Sequence, residues 1–166
     1  IVRACADPGE RIACSWPGFP SYAMTARRLD VGAITVPLLA DGTDDVDGLL
    51  EAARQARVLF LATPNNPTGV RFAGDLRAFC EEASRTTLVV VDEAYAEYAD
   101  LPVSGIDLLR EGLPVVTLRT FSKAWGLAGL RVGYGVMPAR LVTHLRSVQE
   151  TFEVSTLAQA AALASL

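Results

Sequence analysis

The chain reads as an open α/β fold: a three-layer, mostly parallel sheet with one antiparallel strand and helices on both faces. Three observations lead there. Short β-rich runs alternate with helical patterns along most of the sequence. Strands such as Val58-Leu59-Phe60-Leu61 are apolar at every position, as parallel strands covered by helices on both faces require. The last connection, from Arg119 to Arg131, has eleven intervening residues, is rich in Gly and contains no clear crossover helix. A parallel crossover needs roughly a dozen residues or more, so the final strand is expected to run antiparallel.

The elements follow in order. Ile1 to Ala6 reads as the last turns of a helix, stopped by the turn Asp7-Pro8-Gly9. Strands are expected over Arg11 to Ser15, Ala33 to Pro37, Arg57 to Ala62, Leu88 to Asp92, Val115 to Arg119 and Arg131 to Val136. Helical patterns fill the early connections at Tyr22 to Leu29, Asp45 to Ala56 and Ala73 to Ser84. In the last of these, Leu76, Phe79, Cys80 and Ala83 form one apolar stripe, which makes Cys80 a core thiol. No regular element is assigned between Asp92 and Val115. Helices close the chain from Pro138 to Val148 and from Thr156 onward. The Ala-rich run at Leu157 to Leu166 has no Gly, Asn or Pro to end it, and the sequence opens on Ile. These ends are read as those of a piece of a longer protein.

Composition excludes several classes of function. Of 166 residues, 51% are apolar and 20% charged, which is globular composition. Fifteen Lys and Arg against nineteen Asp and Glu give a net charge of −4 with both signs scattered. No basic stripe is present to grip a phosphate backbone, so nucleic acid is not an expected partner. The apolar runs are too short to span a bilayer. Three cysteines, Cys5, Cys14 and Cys80, lack metal-ligand spacing, so neither a disulfide framework nor a metal site is expected. With no signal peptide, a reducing cytoplasm is the default compartment. His144 is the one histidine, and no Ser-His-Asp arrangement surrounds it, which argues against hydrolase chemistry.

In open α/β sheets, ligands sit beyond the carboxyl ends of the strands. There the sequence places Thr63-Pro64-Asn65-Asn66-Pro67-Thr68-Gly69, Asp92-Glu93-Ala94-Tyr95 and Arg119-Thr120-Phe121-Ser122-Lys123-Ala124-Trp125-Gly126-Leu127-Ala128-Gly129-Leu130-Arg131. Each has a bland reading: turn chemistry for the first, a helix cap for the acidic pair, a surface lysine for Lys123. Asp92 nevertheless ends a buried strand and needs a partner. Lys123 has apolar sequence neighbours in Phe121, Ala124, Trp125 and Leu127, and a lysine in an apolar pocket becomes nucleophilic. A carboxylate, an amine and a distal arginine on neighbouring strand ends suit a heteroaromatic cofactor bearing a phosphate.

These motifs, in this order and spacing, resemble the pyridoxal-phosphate aminotransferases of fold type I, most closely the branch of histidinol-phosphate and aromatic aminotransferases. The resemblance runs from Asp7-Pro8-Gly9-Glu10 to Gln159-Ala160-Ala161-Ala162. It implies that residues 1–166 are most of the large, pyridoxal 5'-phosphate-binding domain, without the N-terminal arm or the C-terminal small domain. It makes Lys123 the Schiff-base lysine and proton shuttle, and Asp92 the partner of the protonated pyridine nitrogen. Asn66 and Tyr95 would hydrogen-bond the phenolic oxygen of the ring. Ser122, Arg131 and Thr120 would bind the phosphate, for which a guanidinium fork is suited. Phe19 would stack on the ring, its alternative being a core aromatic, and Tyr22 is read as packing or support behind the site.

The implied reaction moves an amino group from an amino acid or histidinol phosphate to a 2-oxo acid such as 2-oxoglutarate, in a homodimer. Aromatic amino-acid transamination is the close alternative, and decarboxylation of phosphothreonine on the same scaffold a weaker one. The backbone amides that complete the phosphate cup and the arginine that clamps the substrate carboxylate are expected outside this segment. A reading of another class, a non-catalytic remnant, stands against the presence of Lys123, Asp92, Asn66, Tyr95 and Arg131.

Overall fold

The computed structural model describes residues 1–166 and has six strands: β1 (Arg11–Trp16), β2 (Gly32–Pro37), β3 (Val58–Ala62), β4 (Leu88–Asp92), β5 (Val116–Thr120) and β6 (Gly133–Val136). They form one sheet in the order β2-β1-β3-β4-β5-β6. The first five strands pair in parallel, and β6 lies antiparallel to β5 with Arg119 opposite Tyr134 and Thr120 opposite Gly133. The fold is the expected mostly parallel α/β sheet, and the short Gly-rich connection does reverse the chain.

Seven helices surround the sheet: α1 (Val2–Cys5), α2 (Ser21–Arg28), α3 (Val46–Ala53), α4 (Leu76–Ala83), α5 (Gly105–Arg110), α6 (Ala139–Arg146) and α7 (Thr156–Ser165). Strand alternation splits the core in two. Ala13, Leu59, Leu61, Val89 and Val91 face Leu49 and Ala53 of α3, Phe79 and Cys80 of α4, and Leu108 of α5. Ile12, Cys14, Val58, Phe60 and Val90 face Val2 of α1 and Tyr22 and Ala26 of α2. Leu59 and Leu61 are fully buried, each contributing on the order of 2 kcal/mol of transfer free energy. Cys80 is fully buried as its stripe predicts, and burial pushes its thiol up to about 12. No helix is long and apolar enough to cross a membrane.

Side-chain caps trim the helices from their expected bounds. Asp45 accepts from Gly48 N at 3.0 Å and Asp75 from Ala78 N at 3.1 Å, so α3 and α4 begin just after these residues. The last strand begins at Gly133 rather than Arg131, because Arg131 takes a left-handed backbone with φ +54° that cannot continue a strand. Helix α5 and the 3-10 turn Ala96–Tyr98 lie in the stretch to which the sequence assigned no element. The overlooked signal is Ser104-x-x-Asp107: Ser104 Oγ accepts from Ile106 N, and Asp107 accepts from Ser104 N, each at 3.1 Å. Gly105 opens α5 against the sheet, where a Cβ would lie 2.5 Å from Thr117 Oγ1.

Strand order, rather than any single motif, places the site. From β1 the chain winds outward to β2, then crosses back to β3 on the other side of β1. The loops after β1 and β3 therefore diverge, leaving a crevice at the carboxyl ends where such folds hold ligands.

Candidate active site

Asp92 ends β4 and shares a face with Val90, so it points toward the layer of α2, while Glu93 follows on the opposite face. The two carboxylates consequently have different surroundings. Asp92 Oδ2 accepts from the Tyr22 hydroxyl at 2.5 Å, and its Oδ1 accepts from Ala94 N at 3.1 Å. Glu93 is fully buried beneath the site. It accepts from Gly105 N at 2.7 Å and Ser104 Oγ at 3.0 Å, and pairs with Arg119 Nη2 at 2.6 Å.

Glu93 and Arg119 tie the end of β4 to β5, four residues before Lys123. Neither was singled out from the sequence; the signal was an acid one residue beyond a strand end, facing the helical layer. Glu93→Ala is expected to cost about 3 kcal/mol, because it strands a largely buried guanidinium; the value sits at the low end for one-sided removal, since Glu97 remains near Arg119. Glu93→Gln, which still accepts from Gly105, costs less. Denaturant midpoints of the full-length variants measure both.

The tandem asparagines also divide their work. Asn65 is buried and its amide donates to the Pro17 carbonyl and to Thr68 Oγ1, both at 3.1 Å, which pins the turn after β3 to the loop after β1. Asn66 is left half-buried and lines the crevice. With it stand Phe19 and Tyr22 from the β1 side, and Asp92, Tyr95 and Lys123 from β4 and β5. A contiguous cleft of about 520 Å³ shares Phe19, Asp92 and Lys123 and continues to Thr120, Ser122 and Arg131. All eight residues expected at the site are thus brought to one edge of the sheet. Hollows of about 620 and 630 Å³ lie elsewhere, but neither contains Lys123, so size does not select the site.

Lys123 is the sole lysine among the fifteen cationic side chains. Its amine lies 4.9 Å from the centre of the Tyr95 ring, within cation–π reach. The sequence neighbours expected to wall an apolar pocket around it do not do so, and Lys123 is exposed. Phe121 turns away into a separate cluster with Val132, Ala158 and Ala162, and Trp125 is 37% exposed. The residues adjoining Lys123 in sequence therefore do not enclose its amine. Apolar contact comes instead from an aromatic ring of the neighbouring strand end.

At the far end of the cleft, Arg131 Nη1 donates to Ala128 O at 2.7 Å and to Ser122 Oγ at 3.4 Å. Thr120 Oγ1 accepts from Ser122 N at 3.0 Å, and so shapes the turn as well as lining the cleft. The left-handed conformation of Arg131 is uncommon for a side chain of this size, and such residues cluster at ligand clamps. The remaining guanidinium donors and the Ser122 hydroxyl suit a dianion. The cleft accordingly presents a cation and hydroxyls at one end, an amine and phenol at the other, and an anchored carboxylate between an aromatic wall and the sheet.

The sequence profile of "Aminotransferase class I and II" matches residues 1–166, the whole chain. The chain belongs to the class I and II aminotransferase family. An aromatic amino acid aminotransferase of Rhodococcus opacus is 42% identical across 100% of this chain and 47% of its own length. A histidinol-phosphate aminotransferase of Symbiobacterium thermophilum is 44% identical across 100% of this chain and 46% of its own. The chain spans about half the length of the curated relatives it matches. Among aminotransferase structures, that of histidinol-phosphate aminotransferase from Sinorhizobium meliloti in complex with pyridoxal-5'-phosphate superposes with a TM-score of 0.88 at 34% identity, over 99% of this chain and 46% of that one. Its fold is that of this aminotransferase segment, with the same mixed sheet and flanking helices.

Proposed function

We propose that the full-length protein is a pyridoxal 5'-phosphate-dependent aminotransferase and that residues 1–166 are most of its cofactor-binding large domain. The carrying observation is the chain's one lysine standing in a cleft with Asp92, Asn66 and Tyr95 at one end and Ser122 and Arg131 at the other. This donor set fits the cofactor's four polar features: an aldehyde, a phenolic oxygen, a pyridine nitrogen and a phosphate. When bound, the cofactor supplies an electron sink for the carbanion left when an amino donor loses its Cα proton.

The chain's own residues do the rest. Lys123 would hold the cofactor through its amine, and that amine would carry the proton to and from the donor's Cα. Asp92, held by Tyr22 and Ala94, presents an anion to the ring nitrogen and keeps it protonated. Asn66 and Tyr95 would hold the phenolic oxygen, and Phe19 would cover the ring. Arg131 and Ser122, with Thr120 behind them, neutralise and orient the phosphate.

Our leading donor is histidinol phosphate, with 2-oxoglutarate as acceptor. An aromatic amino acid is the second reading, favoured by relatives of that name at nearly equal identity. The protein works as a cytoplasmic homodimer in this proposal, with no nucleic-acid or membrane partner.

Borohydride reduction tests the reading. Full-length protein loaded with pyridoxal phosphate should lose its visible absorption on reduction, and peptide mass spectrometry should find the pyridoxyl adduct on Lys123. An adduct confined to another lysine removes Lys123 from the role.

A further inference from the structure

The Tyr22 hydroxyl is the one side-chain donor to Asp92, and it reaches there from a different element. Tyr22 lies in the first turn of α2, whereas Asp92 is seventy residues later at the end of β4. The ring is 8% exposed and is fixed on two sides. It stacks on Phe60 of β3 with centroids 4.5 Å apart and planes 11° from parallel, and the Phe19 ring meets it edge-on at 5.5 Å. Ring packing fixes the phenol oxygen in place, and it lies 2.5 Å from Asp92 Oδ2, the short separation of a hydroxyl on a carboxylate.

We propose that Tyr22 is a positioning residue that fixes the Asp92 carboxylate in one orientation, facing the cofactor's ring nitrogen. The inference rests on the cofactor reading above. With Oδ1 taken by the Ala94 amide and Oδ2 by Tyr22, the carboxylate cannot rotate without breaking both bonds. Each oxygen still has a lone pair for a further donor.

The bond requires that the phenol keep its own proton. It does: burial first, then the adjoining Asp92 charge, raise the Tyr22 phenol well above the ordinary range, and it remains a donor. Phe19 is thereby coupled to the same unit, because the ring it touches is the one that holds Asp92.

The test uses full-length protein loaded with pyridoxal phosphate labelled with ¹⁵N in the ring. Tyr22→Phe keeps both aromatic contacts and removes only the hydroxyl; Tyr22→Leu removes the ring as well. In both variants the ring-nitrogen resonance should move toward its unprotonated position, and kcat should fall about ten- to a hundredfold with KM little changed, the scale of one hydrogen bond to a charged group. A packing role predicts a different order, with Tyr22→Leu impaired and Tyr22→Phe like wild type, and that result overturns the proposal.

A double-variant cycle gives a second reading. Tyr22→Phe added to Asp92→Asn should change neither resonance nor rate further, whereas additive losses show that Tyr22 does not act through Asp92. Wild-type protein that takes up no cofactor overturns the cofactor reading and this one together. Wild-type protein that binds it with a protonated ring nitrogen, alongside an indistinguishable Tyr22→Phe, overturns this one alone.

Discussion

Lys123→Ala in the full-length protein is expected to reduce transamination by at least ~10²–10⁴-fold, the range for losing one positioned proton-transfer group. The true loss is larger if the covalent link also orients the reactants, since orientation alone can account for several kcal/mol of barrier. No other side chain in this segment can substitute, because the other fourteen cations are arginines, which neither deprotonate nor form the link. Lys123→Arg should therefore fail like Lys123→Ala although it keeps the charge. The fold should be untouched, since Lys123 is exposed and its amine rests over the Tyr95 ring. Glutamate formed from 2-oxoglutarate and each candidate donor reads the rate. A Lys123→Ala protein within tenfold of wild type would remove this lysine from the chemistry.

Asp92→Asn carries the second large effect. The amide is nearly isosteric and its oxygen can still accept from Tyr22, but it carries no charge to hold a protonated ring nitrogen. Turnover should fall about 10²-fold or more, the scale seen when one preorganised electrostatic partner of a transition state is removed. The melting temperature should fall less than in Asp92→Ala, since the amide oxygen keeps one of the two hydrogen bonds. Asp92→Ala is a poorer probe, because it also leaves the buried Tyr22 hydroxyl without its acceptor, at about 1–3 kcal/mol of fold stability. The two variants together separate the carboxylate's charge from its place in the packing: loss of turnover in both, with the larger loss of stability in Asp92→Ala. Near-normal turnover in Asp92→Asn would make Asp92 a structural residue.

Much of this could be read along the chain, because it is written in local chemistry. The runs Val58-Leu59-Phe60-Leu61 and Leu88-Val89-Val90-Val91 announce strands covered on both faces, since no solvated strand is apolar throughout. The polar residues that interrupt the pattern stand at the strand ends, and a parallel sheet must bring those ends to one edge. The brevity of the link from Arg119 to Arg131 dictated its antiparallel return. The choice of Asn66 over Asn65 came from the family motif; in the structure Asn65 donates to the Pro17 carbonyl and Asn66 lines the crevice.

What the linear sequence did not display depends on neighbours far apart in number. Helix α5 is six residues long, too short to declare a period, and it forms because Glu93 accepts from its first N–H and Ser104 caps it. Lys123 is flanked by apolar residues in sequence, yet Phe121 packs into another cluster, and a side chain's surroundings follow from its direction in space. Asp92 and Glu93 look alike as adjacent acids. Strand alternation sends one to the cleft and the other to a buried arginine.

The sequence by itself determined the strands, most of the helical faces, the reversal at the last strand and which polar side chains stand at the strand ends. Each of these follows from periodicity, turn chemistry or residue type within a short window. Only the tertiary structure decided the order β2-β1-β3-β4-β5-β6, and with it the crevice between the loops after β1 and β3. Only it joined Tyr22 to Asp92 across seventy residues, because a hydrogen bond depends on where two chain segments meet and not on the number of residues between them.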